Sequence, residues 1–233
     1  MFRVDLHSHT SYSHDGHTPP RALVERARER RLDRIAVTDH GTIEGALLAR
    51  DIDPDLVIVG EEIRCRCRTE LIGLFLKERI PQRLSLTETV ERIRDQGGVV
   101  YAPHPYAYAR RALWRANRAL RVADVVEGIN ARAFLPIWNH AAIKASERRG
   151  LPVVAGSDAH FAFEIGRAYA EMPEFVGAEE FLAAAPRARP SLARLSSPWL
   201  HVVGFAMKWR RIALAPARPA ARQTGLTTTS SGA

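Results

Sequence analysis

The sequence predicts an α/β fold in which short parallel strands alternate with helices and close into a barrel. Two observations carry this reading. Short apolar, β-branched runs recur between segments of helical periodicity, and nearly every run ends at histidines or carboxylates. In an open doubly wound sheet only the strands at the switch point would feed a site, whereas a barrel gathers the C-terminal ends of all its strands at one mouth. About seven strands can be counted in this way.

The first run, Phe2 to Leu6, ends in His7-Ser8-His9. Residues i and i+2 of an extended segment share a face, so the two imidazoles stand side by side, as a shared metal ion requires. A polar loop with His14, Asp15 and His17 follows, and Thr18 is expected to cap a helix opened by Pro19 and Pro20, with Leu23, Val24 and Ala27 turned inward. Ile35 to Thr38 reads as a buried strand ending at Asp39 and His40, and a helix from Thr42 to Arg50 returns the chain.

Leu56 to Gly60 is the next strand and ends at Glu61-Glu62; Ile63 to Leu76 is strand-like again and carries Glu70. Ser85-Leu86-Thr87-Glu88 has the spacing of a capping box, so a helix runs to Gln96 and stops at Gly97-Gly98. Val99 to Ala102 ends at Pro103-His104-Pro105, and a helix follows from Ala112 to Arg121. Asp124 to Ile129 ends at Asn130 and Arg132; after a helix from Trp138 to Arg149, Val153 to Gly156 ends at Ser157-Asp158-Ala159-His160.

A chain of 233 residues with 46% apolar content can bury one large core. No apolar run is long enough to span a bilayer and no charged leader opens the chain, so a cytoplasmic protein is expected. Cys65 and Cys67 alternate along a strand, poorly placed to bond to each other, and are expected to be inert. The net charge of +8 is compatible with a nucleic-acid substrate without establishing one, because arginines such as Arg26, Arg28, Arg30 and Arg31 are spread over helical faces. Three segments are expected: the barrel at 1–190, a terminal helix at 191–213 packing on it, and a disordered tail at 214–233. Lys208, Arg210 and Arg211 beside the apolar Trp199 to Trp209 stretch leave a membrane-surface helix as the alternative for the second.

Five histidines (His7, His9, His40, His104, His160) and the carboxylates Asp15, Glu62 and Asp158 thus project from one end of the barrel. A set of nitrogen and oxygen donors without cysteine suits zinc, manganese or iron, and it exceeds what one ion can use. Ions about 3.5 to 4 Å apart suit in-line displacement at phosphorus, one generating hydroxide and the others neutralising the phosphate oxygens.

The ordered set His-x-His, a following Asp, Thr-Asp-His-Gly-Thr, Gly-x-Glu-Ile, His-Pro and Gly-Ser-Asp-Ala-His resembles the PHP (polymerase and histidinol phosphatase) family of metal-dependent phosphoesterases over residues 2 to 185. The resemblance implies a distorted seven-stranded (β/α) barrel holding two or three divalent ions. Its ligands would be His7, His9, Asp15, His40, Glu62, His104, Asp158 and His160, with Glu62 bridging. Where many members have a histidine, this chain has Glu70; a carboxylate there either ligates a third ion with altered affinity or leaves that ion lost.

The implied activity is hydrolysis of a phosphate ester of a nucleotide, short oligonucleotide or phosphorylated metabolite by metal-activated hydroxide. His9, Asp158 and His160 are assigned to catalysis, and Arg111 (with Arg110 beside it), Asn130 and Arg132 to substrate binding. Asp39 is read as orienting His40 or capping a loop; His14, His17, His140 and His201 are read as ordinary surface or helix histidines. The alternatives are an amidohydrolase-like hydrolase and a non-catalytic module that binds metal and nucleic acid. No obligate protein partner is evident.

Overall fold

The computed structural model describes residues 1–106, 112–197 and 199. Among these, nine strands form one sheet: β1 (Phe2–Asp5), β2 (Arg34–Val37), β3 (Val57–Arg64), β4 (Glu70–Leu74), β5 (Val99–Ala102), β6 (Val125–Asn130), β7 (Val153–Gly156), β8 (Ala168–Met172) and β9 (Arg189–Leu192). Six helices accompany them: α1 (Pro20–Glu29), α2 (Glu44–Ile52), α3 (Leu86–Asp95), α4 (Ala112–Val122), α5 (Pro136–Glu147) and α6 (Gly177–Ala184).

The strand order is β7-β6-β5-β4-β3-β2-β1-β8-β9. The ends of the β1-to-β7 run meet just beyond the strands. Ser8 bridges Ala159 in parallel, His9 N–H donates to Ala159 O at 2.8 Å, and Asp158 N–H donates to His7 O at 2.8 Å. The sheet is therefore a nearly closed barrel, the distorted (β/α) barrel that the sequence implies. Its distortion is local: β4 runs antiparallel to both β3 and β5, while the β1–β2, β2–β3, β5–β6 and β6–β7 pairs are parallel.

Side-chain alternation sorts the apolar residues into two cores. Val4, Ala36, Ile58, Ile72, Tyr101 and Val154 pack together with Phe175 and Phe181. Their strand neighbours Ile35, Val37, Val57, Val59, Val100 and Val126 pack instead with helix residues such as Leu23, Val24, Ala46 and Ile93. The first set fills the barrel; the second joins it to its helices. Phe181 of α6 meets Phe175 edge to face at 5.2 Å, and each fully buried ring contributes about 1.5–3 kcal/mol.

The capping box forms: Ser85 Oγ accepts Glu88 N–H at 3.2 Å, and Glu88 Oε2 accepts Ser85 N–H at 2.9 Å. Other local expectations need correcting. Thr18 is buried rather than capping; α1 starts from Pro19, whose ring fixes the entering backbone. β3 runs through Glu61 and Glu62 instead of stopping at Gly60, because both carboxylates are buried and bonded within the fold. β8, α6 and β9 carry little β-branched or periodic signal, and the sequence does not disclose them. β9 crosses position 190, where the sequence places the end of the barrel segment. The rest of the expected helix at 191–213 lies outside the described residues from 200 onward, as does the tail at 214–233. No described helix is long and apolar enough to cross a membrane.

Candidate metal centre

The backbone bonds that close the barrel also fix its first two ligands. With Ser8 paired to Ala159, His7 and His9 flank the bridge, and their Nε2 atoms stand 3.1 Å apart. His7 Nε2 lies 3.2 Å from Glu62 Oε2 and 3.6 Å from Asp158 Oδ1; His9 Nε2 lies 3.5 and 3.3 Å from the same two oxygens. Two donors each about 2.1 Å from one tetrahedral ion are about 3.4 Å apart. The observed spacing is that of neighbours around a shared cation, so this donor set fits a divalent metal.

Glu62 faces two groups of histidines. Its Oε2 is near His7, His9 and His40 Nδ1 (3.4 Å), while its Oε1 is 3.4 Å from His104 Nε2. A carboxylate placed in this way can bridge two ions. Asp15 Oδ2 lies 3.4 Å from His40 Nε2 and 3.6 Å from His160 Nε2, and Asp158 Oδ1 lies 3.5 Å from His160 Nδ1. Glu70 groups with Glu62 and His104, their donor atoms within 4.8 Å of one another. It enters from the start of β4, not from the end of a strand: the reversal of β4 pairs Glu70 with Arg64 and brings its N-terminus to the mouth.

His104 (φ 24°) and Asp158 (φ 52°) both hold left-handed backbone conformations. Such residues persist only where their surroundings over-determine them, and they cluster at functional sites. Here His104 N–H donates to Glu127 Oε2 at 2.6 Å, and Asp158 is held by the closure bond to His7.

Charge is distributed unevenly. Burial works against ionisation throughout, but the surrounding imidazoles hold Glu62, Asp158 and Asp15 below the usual carboxylate range. Burial, with His160 as neighbour, lowers His9 to about 3. For His40 and His104, burial is outweighed by Glu62, with Asp15 adding to the effect at His40, and both rise to about 9. Glu70 is raised by burial and by Glu62.

Several supporting residues are not apparent from sequence motifs. Glu127, inside β6, reaches His7 Nδ1 at 3.0 Å and accepts from Asn130 Nδ2 at 3.0 Å. A lone carboxylate within the apolar Val125-to-Ile129 run is the signal, since a buried charge requires partners. Gly156 leaves room for this contact: a Cβ there would overlap His7 Cβ and the Glu127 carboxylate. Asp5 accepts N–H bonds from His7, Ser157 and Gly166, joining both ligand loops.

The residues that the sequence assigns to substrate binding separate. Asn130 lies between Glu127 and Asp158 Oδ2 (3.2 Å), placed to orient ligands. Arg132 turns inward, 7% exposed, with Nη1 2.9 and 3.1 Å from the Glu164 oxygens, an ion pair that engages this end of its guanidinium. Glu164 also accepts from His160 N–H at 3.1 Å, so the pair anchors a ligand loop. Arg110, Arg111 and His201 lie outside the described residues. Asp39 accepts from Thr10 N–H and Oγ1, fixing the loop after His9. His14, read as an ordinary surface histidine, is half exposed but stands 3.4 Å from Asp15 Oδ2, at the edge of the centre. His17 stacks on Phe161 at 4.7 Å. Cys65 and Cys67 are free thiols.

Residues 5–95 match the PHP domain and residues 136–190 the PHP-associated domain. An uncharacterized protein of Methanocaldococcus jannaschii is 34% identical over 193 residues, covering 77% of each chain. A second from that organism is 38% identical over 124 residues, covering 48% of this chain and 72% of the relative. Three solved structures share the fold. A two-domain protein from Bacteroides vulgatus, described as containing a predicted PHP-like metal-dependent phosphoesterase, aligns with TM-score 0.63 at 20% identity over 88% of this chain and 69% of its own. PsfC from Pseudomonas syringae aligns with TM-score 0.61 at 18% identity over 90% and 99%. An amidohydrolase from Chromobacterium violaceum, solved with bound sulfate and no metal, aligns with TM-score 0.55 at 18% identity over 67% and 87%.

Proposed function

Because the chain belongs to the PHP family, we propose that it is a metal-dependent phosphoesterase that hydrolyses a phosphate ester of a nucleotide, short oligonucleotide or phosphorylated metabolite. The observation that carries this reading is the double-facing Glu62 carboxylate, with His7, His9 and His40 about one oxygen and His104 near the other. Two adjacent ions would share it; His7, His9, Asp15, His40, Glu62, His104, Asp158 and His160 would be their ligands, and Glu70 would supply a donor for a third. Manganese, zinc or iron held there would polarise phosphoryl oxygens and acidify water.

The chain's own residues supply the rest. His7 and His9 are wholly buried and keep the floor of the site dry, while Asp15, His40 and His160 are partly exposed and mark the side from which substrate enters. Glu127, Asn130 and Asp5 hold the ligand loops in register, so little reorganisation is needed when charge develops on the substrate. Of the residues assigned to catalysis, Asp158 and His160 are both partly exposed at the open rim, on the side of the leaving oxygen, while His9 is buried and holds the reacting centre.

The test is phosphate or mononucleotide release by manganese-reconstituted protein from sugar phosphates, nucleotides and short 5′-phosphorylated oligonucleotides. Turnover by the wild type that is lost in Asp158→Ala, with the circular dichroism spectrum retained, supports the reading. Full activity in that variant sinks it. The fold likeness to the amidohydrolase makes amide hydrolysis the second reading, and amide substrates offered to the same preparation separate the two.

A further inference from the structure

We propose that Arg64 and Arg83 form an anion subsite beside the metal centre, selecting small phosphate esters that carry a second anionic group. The proposal deepens the phosphoesterase reading and rests on it. A cleft of about 470 Å³ opens on one side of the centre, lined by the ligands Asp15, His40 and Glu70 and also by Arg64, Gln82 and Arg83. The metal ligands account for the first three residues. The arginines are left to be explained.

A buried carboxylate holds this part of the cleft in place. Glu61, 0% exposed and turned away from the metal ligands, accepts Ile80 N–H at 2.8 Å and Gln82 Nε2–H at 3.1 Å. Gln82 Oε1 accepts Arg64 N–H at 2.8 Å, and Arg83 N–H donates to Arg64 O at 2.9 Å. The loop at 80–83 is thereby clamped to β3, the strand that carries Glu62. Arg83 is held at φ 65°, a left-handed conformation that an arginine adopts only when its surroundings impose it.

Neither guanidinium is neutralised at close range. The carboxylate paired with Arg64 is Glu70, whose Oε1 lies 3.9 Å from Nε, and Arg83 makes no ion pair among the described residues. Two arginines joined through their backbones and facing one cleft suit a phosphate or carboxylate, which their planar donor forks can bind in bidentate fashion. A cleft of this size takes a small molecule. With the reacting phosphoryl group at the metals, these arginines remain for a second anion on the same substrate.

Propane-1,3-bisphosphonate and propylphosphonate, which carry no ester bond to hydrolyse, test this by calorimetric titration of the manganese-loaded full chain. The bisphosphonate is expected to bind about tenfold more tightly to the wild type, a bidentate contact's worth, and the double variant Arg64→Ala/Arg83→Ala to bring the ratio near one. Arg64→Lys/Arg83→Lys should keep part of the advantage. A wild-type ratio near one, or a ratio that survives in the alanine variant because the second phosphonate reaches another ion, overturns the proposal. Failure of the phosphoesterase reading looks different: the binding ratio would stand while no phosphate ester is turned over.

Discussion

Glu127 Oε1 lies 3.0 Å from His7 Nδ1 although 120 residues separate the two in the chain. This contact fixes which imidazole nitrogen of His7 faces the other ligands, and Glu127 Oε2 also accepts the His104 N–H. Glu127→Gln keeps the shape but removes the charge. It is expected to weaken manganese binding about 10–100-fold with the fold intact, read by metal titration. Affinity equal to wild type would remove Glu127 from the supporting shell.

Glu70 tests the number of ions. Its donor atom groups with Glu62 and His104, so Glu70→Ala is expected to lower the count of tightly held divalent ions by one, measured by elemental analysis after dialysis. Glu70→His, which restores a ligand, should recover it. An unchanged count in the alanine variant would show that this carboxylate holds no ion.

Metal uptake is expected to expel protons. His40 and His104 rise to about 9, burial being outweighed by Glu62 at both and by Asp15 at His40, so both imidazoles are protonated in metal-free protein near neutrality. A ligating imidazole must be neutral. Metal loading at neutral pH therefore releases protons, and affinity climbs until pH passes about 9. The sign for stability is opposite: the raised values stabilise the metal-free fold fully below about 6.5, and this contribution fades as pH rises through about 9. Calorimetry in buffers of different ionisation enthalpy counts the protons; none released at neutral pH would contradict the assignment.

Arg132 separates a structural role from substrate binding. Arg132→Met leaves the buried Glu164 carboxylate without its cation and is expected to cost about 3–5 kcal/mol of stability. Arg132→Met/Glu164→Gln should recover much of that in a thermal melt. A stable single variant with a raised KM would return Arg132 to the substrate.

Much of the barrel is legible in the sequence because its signals are local. An apolar β-branched run marks a buried strand whatever its neighbours, as at Ile35 to Val37 and Val153 to Gly156, and Ser85 with Glu88 caps α3 within one turn. The histidines after β1, β2, β5 and β7 stand beside such runs, so strand ends and ligands are read together. Tertiary structure alone decides the rest, since contacts between distant residues leave no local period. Residue order does not show that β4 runs backwards and brings Glu70 to the mouth from its first residue. Nor does it show that Arg132 pairs with Glu164. Glu61 and Glu62 are adjacent and chemically alike, yet strand alternation sends one to the loop that carries Arg83 and the other to the metal ligands. The sequence by itself determined the kind of site; burial and strand direction decided which carboxylates and cations reach it.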